Sequence, residues 1–228
     1  MKDKAKPELE LPVENLDSMI RRVDEDRWLS SRYAGHEGRA RLMVLYAFQI
    51  ECVRALHMSE PMLGHIRLQW WREAIEEIAS GKTPRRHDLT LEMAGLISHT
   101  PELSGLAADY LDLFDAQIDA VACGAPGDDL VQAGGVLATM AGLVLDPVAI
   151  SHAAALSACG RAYEAARMKT PDAAERVEAA RKVFADVPAS LSPAVAHVTL
   201  APNYLKASQL SAIGRRWRIF LAVLSGRI

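Results

Sequence analysis

The sequence predicts an all-α protein with a single helical domain. Alanine, the residue with the highest helix propensity, occurs 37 times in 228 residues, whereas aromatic residues make up only 6%. No segment shows the sustained alternation of apolar and polar residues that is typical of a half-buried strand. A proline directly follows a capping residue, an order typical of helix starts, in three places: Thr100-Pro101, Asp146-Pro147 and Thr170-Pro171.

The same signals, taken with the apolar spacing, predict helices at 14–30, 39–57, 60–80, 88–98, 101–123, 129–145, 147–168, 172–186 and 207–225. The stretch 186–204 carries three prolines, which predict an irregular connection with at most a short helix. No linker, repeat or low-complexity block divides the chain. We therefore expect one domain over residues 13–228, preceded by a disordered leader at 1–12.

The composition argues against several classes of protein. A net charge of −3 is unlike that of a general nucleic-acid binder, which would be strongly basic. Every long apolar run is interrupted before the roughly 20 residues that a membrane-spanning helix needs. Cys52, Cys123 and Cys159 are odd in number and far apart, which predicts free thiols in a reducing compartment. We expect a cytoplasmic protein, either soluble or peripheral to the inner membrane.

One segment is too apolar for a surface helix. Residues 42–56 read LMVLYAFQIECVRAL, in which twelve of fifteen residues are apolar, and a helix that is apolar all round is usually buried all round. Its polar residues Gln49, Glu51 and Arg54 then need partners or a cavity. Glu51 and Arg54 are three apart and could pair on one helix face. They form either an internal ion pair or the polar wall of an internal pocket.

The next helix carries the unusual string SEPMLGHIRLQWWR over residues 59–72. Trp70 and Trp71 are adjacent, so they point about 100° apart and together widen the apolar face. The simpler interpretation is that both tryptophans belong to the core and to the packing of this helix against its neighbours. Arg67 and Arg72 flank the apolar arc and could bind an anion or pair with Glu51.

Two stretches of the chain together carry a family resemblance. YAFQIECVRA (46–55) and SEPMLGHIRLQWWREAIEEI (59–78) resemble the squalene/phytoene synthase family, and within it the non-canonical branch that contains the mitochondrial complex I assembly factor and its bacterial relatives. The likeness continues more weakly at 115–130, 188–205 and 215–227. It implies an all-α isoprenoid-synthase fold around a central apolar cavity. Active members join two prenyl diphosphates head to head, holding them through Mg²⁺ on two D-x-x-x-D motifs.

This sequence departs from the first of those motifs. Where active members read roughly Y-A-F-x-R-x-x-D-D-x-x-D, the chain reads YAFQIECVRALH. Val53, Arg54 and His57 stand where the resemblance calls for aspartates, and Ile50 stands where it calls for arginine. Hard oxygen ligands suit Mg²⁺, and none of these side chains supplies one.

The second motif is also missing from its expected helix. Residues 150–168 contain Arg161, Glu164 and Arg167 but no aspartate. The resemblance therefore implies no catalytic residue, no cofactor and no bound metal for this chain, with Mg²⁺ as the cofactor of the alternative, catalytic interpretation.

An acidic series lies outside the expected motif helices. Asp109, Asp112, Asp115 and Asp119 recur at helical spacing, and Asp115 and Asp119 have the D-x-x-x-D spacing. They are weak candidates for a metal site or for contact with a basic partner. The alternative is a solvated acidic face.

The C-terminal helix is basic and amphipathic. After Asp186 the chain has no acidic residue, and this end carries Lys206, Arg215, Arg216, Arg218 and Arg227 beside the apolar residues Leu210, Ile213, Trp217, Phe220, Leu221 and Leu224. Such a helix could lie on an anionic membrane or against an acidic partner. It could equally be a packing helix whose charges face water.

Three functions follow from the resemblance and the missing motifs. The first is a non-catalytic assembly or stability factor for a respiratory NADH:quinone oxidoreductase, which would bind a complex subunit or assembly intermediate. The second is a prenyltransferase that joins prenyl diphosphates in isoprenoid biosynthesis. The third, compatible with the first, is an isoprenoid-lipid binder. We expect the pocket wall or partner surface to consist of Gln49, Glu51, Arg54, Arg67, Gln69, Trp70 and Arg72.

Overall fold

A computed structural model describes residues 13–125, 127–206, 208 and 210–228, and it contains helices but no strand within those ranges. The expected leader at 1–12 lies outside them. The α-helices in chain order are α1 (Val13–Val23), α2 (Glu25–Ser31), α3 (His36–Leu56), α4 (Pro61–Ala79), α5 (Asp88–His99), α6 (Leu103–Asp115), α7 (Ile118–Ala122), α8 (Asp129–Leu145), α9 (Ala153–Met168), α10 (Ala173–Phe184), α11 (Ser192–Val195), α12 (Ala201–Leu205) and α13 (Ala212–Ser225). Short 3₁₀ helices at Pro147–His152 and Ala196–Leu200 precede α9 and α12. The predicted all-α class is confirmed.

Helix α3 is the central element, as its composition predicts. Every residue from 42 to 52 is buried, and the helix contacts α1, α4, α5, α6 and α8. Burial of apolar side chains around its whole circumference is the main source of stability for this part of the fold. None of the described helices is long and apolar enough to cross a bilayer.

Three of the predicted helices are interrupted, each at a polar residue. The helix predicted at 14–30 breaks at Asp24, whose side chain accepts a hydrogen bond from the backbone N–H of Arg27 and caps α2. The helix predicted at 101–123 breaks before Gln117, whose amide donates to Asp129 and accepts from the Gly127 N–H. The helix predicted at 147–168 begins instead as a 3₁₀ turn capped by Asp146.

The C-terminal third also differs in detail from the sequence prediction. The last helix begins at Ala212, where the Ser211 hydroxyl accepts from the Gly214 N–H and caps it, and residue 207 of the predicted start lies outside the described residues. The predicted irregular connection at 186–204 contains α11, a 3₁₀ helix and the start of α12. Residues 191–198 are all buried there, so this connection is part of the core.

Helices α8 and α9 approach each other closely at two glycines. A Cβ added at Gly160 would lie less than 3.0 Å from the carbonyl oxygen of Gly134, and one added at Gly134 would meet both Gly160 and the side chain of Glu164. The two backbones can therefore touch only because neither position carries a side chain. This contact fixes Glu164 against the interior of the bundle.

Candidate functional site

A cleft of about 410 Å³ opens between α3, α6, α8 and α9. Its walls are mostly apolar, and they are formed by Val23, Ile50, Val53, Leu56, Tyr110, Phe114, Leu130, Ala133, Gly134 and Met168. Its polar lining consists of Asp24, Gln49, His57, Glu164 and Arg167. An apolar concavity with a few polar groups is typical of small-molecule sites.

Gln49 and Val53 of α3, and His57 directly after the helix, line this cleft. The three residues are four apart, so one face of the helix carries them all. Val53 and His57 occupy two of the positions at which the resemblance calls for aspartates, and the third, Arg54, is mostly exposed outside the cleft. The Oε1 atom of Gln49 is buried and has no hydrogen-bond partner among the described residues.

Helix α9 supplies Glu164 and Arg167 to the opposite wall. Arg161, the third charged residue of the expected second motif, does not line the cleft and donates to Gln132 at 3.4 Å. The helix that would carry the second aspartate motif therefore presents one carboxylate and one guanidinium.

A buried ion network closes the floor of the cleft. Arg27 is only 2% exposed, and its guanidinium donates to Asp24 and to Glu164, at 2.5 Å each. Arg167 lies 3.9 Å from Asp24 and 3.8 Å from Glu164. Two carboxylates and two guanidiniums balance in charge, as buried charges require.

The network holds Asp24 in its ionised form. Burial raises the pKa of this carboxyl, but the charges of Arg27 and Arg167 outweigh the burial and lower the pKa to about 2. Both carboxylates of the cleft are therefore engaged by arginine. The described residues contain no group of three or more His, Cys, Asp or Glu side chains placed to bind a metal ion, so the residues in the cleft do not fit a Mg²⁺–diphosphate clamp.

A second layer of polar groups lies behind Arg27. The Tyr163 and Tyr204 hydroxyls both donate to Asp26, at 3.0 and 2.5 Å, and the Tyr163 ring lies 4.5 Å from His197. Burial and the positive charge of Arg27 lower the pKa of His197 to about 3, so this imidazole is neutral in the folded protein.

Sequence reasoning missed Asp24, Asp26 and Arg27. Their signal is the run Asp24-Glu25-Asp26-Arg27, which stands directly before Trp28 and Leu29. Consecutive charged residues point to different sides of a helix, so at least one of them must face the core once the neighbouring apolar residues are buried.

The predicted pairing of Glu51 with Arg54 is observed, but away from the cleft. The Glu51 carboxylate accepts from Arg54 at 2.6 Å and from Arg67 of α4. Burial raises the pKa of Glu51, and the hydrogen bonds from the two arginines outweigh it, so the pKa is lowered overall. This ion cluster ties α3 to α4.

The remaining predicted residues of α4 differ in burial, since Gln69 is exposed whereas Trp70 and Arg72 are partly buried. Arg72 donates to Gln69 and to Asp112 of α6, so it does not reach Glu51. The Trp70 ring contacts Trp71 and His87, with centroids 5.0 and 5.5 Å apart. Of the seven predicted site residues, only Gln49 lines this cleft. The expectation that the seven form a pocket wall or a partner surface stays a prediction.

The acidic series does not lie on one helix. Asp115 ends α6 and Asp119 belongs to α7, because the chain breaks between them. His65 of α4 lies between the two carboxylates, with Nδ1 2.8 Å from Asp115 and Nε2 3.7 Å from Asp119. The hydrogen bond to Asp115 is the main cause of the raised pKa of His65. The candidate metal ligands are therefore engaged by an imidazole.

Comparison with known proteins supports one family. Residues 20–123, which span the last turn of α1 and all of α2 through α7, match the family model of squalene/phytoene synthase. No curated protein and no solved structure matches the chain. The all-α fold is consistent with the isoprenoid-synthase-like fold of that family.

Proposed function

Starting from this likeness, we propose that the squalene/phytoene synthase-like chain is non-catalytic, binds an isoprenoid lipid in its cleft and acts as an assembly or stability factor for a respiratory NADH:quinone oxidoreductase. The observation that carries the proposal is the composition of the cleft. Val53 of α3 and His57, which caps its C-terminus, line the cleft at positions where the resemblance calls for metal-binding aspartates. Glu164 and Asp24 are ion-paired with Arg27.

The electrostatics of the cleft support a ligand held without metal. A Mg²⁺ clamp needs carboxylates on both walls that are free to bind the ion. Here, if Asp24 or Glu164 bound a metal, Arg27 and Arg167 would have only one carboxylate between them, and the uncompensated charge in the interior would be costly. The partly exposed Arg167 supplies a cationic group on the cleft wall instead.

The apolar walls support an isoprenoid chain as the ligand. Tyr110 and Phe114 of α6 face Ile50 and Val53 of α3 across the cleft, and apolar surface of this kind binds hydrocarbon by removing it from water. The volume falls within the range of small-molecule sites.

An apolar surface patch supports the assembly role. Met58, Met62, Leu63 and Ile66 are 40, 66, 44 and 58% exposed, at the corner where α3 turns into α4. Met62, Leu63 and Ile66 belong to the second of the two stretches that resemble the complex I assembly branch. Exposed apolar patches of this kind mark surfaces for protein partners, here a complex subunit or assembly intermediate.

Calorimetric titration tests lipid binding. The purified chain is titrated with a non-hydrolysable farnesyl diphosphate analogue, with and without Mg²⁺, and with farnesol. We expect binding that does not depend on Mg²⁺ and that Val53→Trp abolishes, because the indole would fill the cleft. The matched control is Leu91→Trp, at an exposed position of α5 outside the cleft. Binding only with Mg²⁺ would favour the alternative prenyltransferase.

The assembly role is tested separately in a strain that lacks the gene. We expect NADH:quinone oxidoreductase activity and the amount of assembled complex to fall, and the wild-type chain to restore both. Unchanged levels of the complex in the deletion strain would contradict the assembly role. They would not affect the conclusion on lipid binding from the calorimetric titration.

A further inference from the structure

Helix α13 exposes an apolar stripe to solvent. Ile213, Trp217, Leu221 and Leu224 are 69, 57, 51 and 70% exposed, and they recur every three or four residues along one side of the helix. The helix packs on the body of the protein through Ile219, which is fully buried. Its widest apolar face is therefore turned away from the core.

The charge of this end of the chain is opposite to that of the rest. Residues 206–228 carry one lysine, four arginines and no acidic residue, although the whole chain has a net charge of −3. An apolar stripe beside a basic face is the pattern of helices that lie in the interface of an anionic bilayer.

A cationic cleft of about 420 Å³ lies where α13 meets α1 and α2. Arg21, Arg32 and Arg216 line it, together with Trp28 and Tyr33. The guanidinium carbons of Arg21 and Arg32 each lie 5.0 Å from the centroid of the Trp28 ring, which holds both groups in place. Among the residues whose side chains the structure describes, no carboxylate lies within 4.0 Å of any of the three guanidiniums.

Aromatic contacts connect this cleft to the apolar stripe. The Tyr33 ring, on the cleft wall, lies 6.5 Å from Phe220, and Phe220 lies 5.4 Å from Trp217. A molecule whose anionic group occupies the cleft would therefore have its apolar part along α13. Tyrosine and tryptophan favour such a boundary, because one end of each ring is apolar and the other is polar.

We propose that Arg21, Arg32 and Arg216 bind the phosphate headgroup of an anionic phospholipid and that α13 lies in the bilayer interface beside it. Guanidinium groups suit this role, because they bind phosphate through paired hydrogen bonds. The site is separate from the cleft between α3 and α9, so it stands whether or not that cleft binds an isoprenoid.

Vesicle binding of the full chain tests the site. Co-sedimentation is measured with vesicles of phosphatidylcholine alone and with vesicles that also contain phosphatidylglycerol. We expect binding to the anionic vesicles only. Each arginine near an anionic surface strengthens binding by about fivefold, so the triple variant Arg21→Gln, Arg32→Gln, Arg216→Gln should bind about a hundredfold more weakly.

A charge-matched triple variant separates a headgroup site from general attraction. Lys82→Gln, Arg86→Gln and Arg181→Gln remove the same charge from exposed positions elsewhere and should weaken binding much less. Circular dichroism melting shows whether both triple variants fold. Equal weakening by the two triples would overturn the headgroup site, and so would a lack of binding to either vesicle, which would point to an acidic protein as the partner of α13.

Discussion

Arg27 on α2 donates a hydrogen bond to Glu164 on α9, a residue 137 positions later in the chain. Because Arg27 also binds Asp24, a single side chain links the N-terminal helices to the floor of the cleft. Arg27 is buried, so solvent does not screen its ion pairs as it screens pairs on the surface.

Substitution of Arg27 should therefore strongly destabilise the protein. Arg27→Met leaves Asp24 and Glu164 without their main partner, and we expect the free energy of unfolding to fall by about 3–5 kcal/mol. Urea denaturation followed by circular dichroism measures it. The control is Arg181→Met, which breaks an exposed pair with Glu178 and should cost at most about 1 kcal/mol. Equal losses in the free energy of unfolding for the two variants would show that the buried network contributes no more to stability than an exposed ion pair.

The neutral His197 should make the protein sensitive to acid. Its pKa is about 3 when folded and about 6.5 when unfolded, so between these values only the unfolded chain binds the proton. Stability should then fall with decreasing pH, by about 1.4 kcal/mol per pH unit. We expect His197→Gln to flatten this slope in urea titrations between pH 6.5 and pH 4.

His65 provides a control, because its pKa is shifted in the direction opposite to that of His197. The raised pKa of His65 stabilises the fold below the unfolded value, and that contribution is lost as the pH rises through the folded pKa. His65→Asn should therefore remove a gain of stability that occurs on acidification above pH 6.5, and it should leave the slope between pH 6.5 and pH 4 unchanged. If His197→Gln leaves the slope unchanged, the imidazole is not held neutral.

The contact between α8 and α9 should not tolerate a side chain. Gly160→Ala places a Cβ against the Gly134 carbonyl and should lower the free energy of unfolding by about 1–3 kcal/mol, because the helices must separate. Gly95→Ala on α5 meets nothing within 4 Å and should stabilise the protein by about 0.4–1 kcal/mol. Thermal and urea unfolding of the two variants measures the difference, and the same sign for both would contradict the close approach.

The ion cluster between α3 and α4 should be needed for function without any dependence on metal. Glu51→Ala and Arg67→Ala each break the Glu51–Arg67 pair and should reduce the recovery of NADH:quinone oxidoreductase activity in a deletion strain. Glu178→Ala, at an exposed pair on α10, is the control. Full recovery of this activity with both variants would contradict a functional role for the cluster.

Helix α3 and the cleft show which structural features can be predicted from the sequence. The run LMVLYAFQIECVRAL predicted a helix buried on all sides, because apolarity around a full circumference leaves no face for water. The spacing of Glu51 and Arg54 predicted their pairing, because residues three apart are neighbours on a helix. Neither property depends on what packs against the helix.

Which polar residue faces the cleft is not a local property. Gln49 and Glu51 lie on the same helix, yet Gln49 lines the cleft and Glu51 turns toward α4. Likewise Arg72 binds Asp112 of α6 and not Glu51. The rotation of α3 against its neighbours decides these contacts, and side-chain periodicity alone does not determine that rotation.

The sequence by itself determined the helical class, the central place of α3 and the presence of Val53, Arg54 and His57 on its C-terminal side. These depend on residue identity and on the helical repeat, both of which are local. Only the tertiary structure decided that Arg27 meets Glu164, that Gly134 and Gly160 touch, and that Arg32 and Arg216 line one cleft. Such contacts join residues far apart in the chain, and the packing of whole helices selects them.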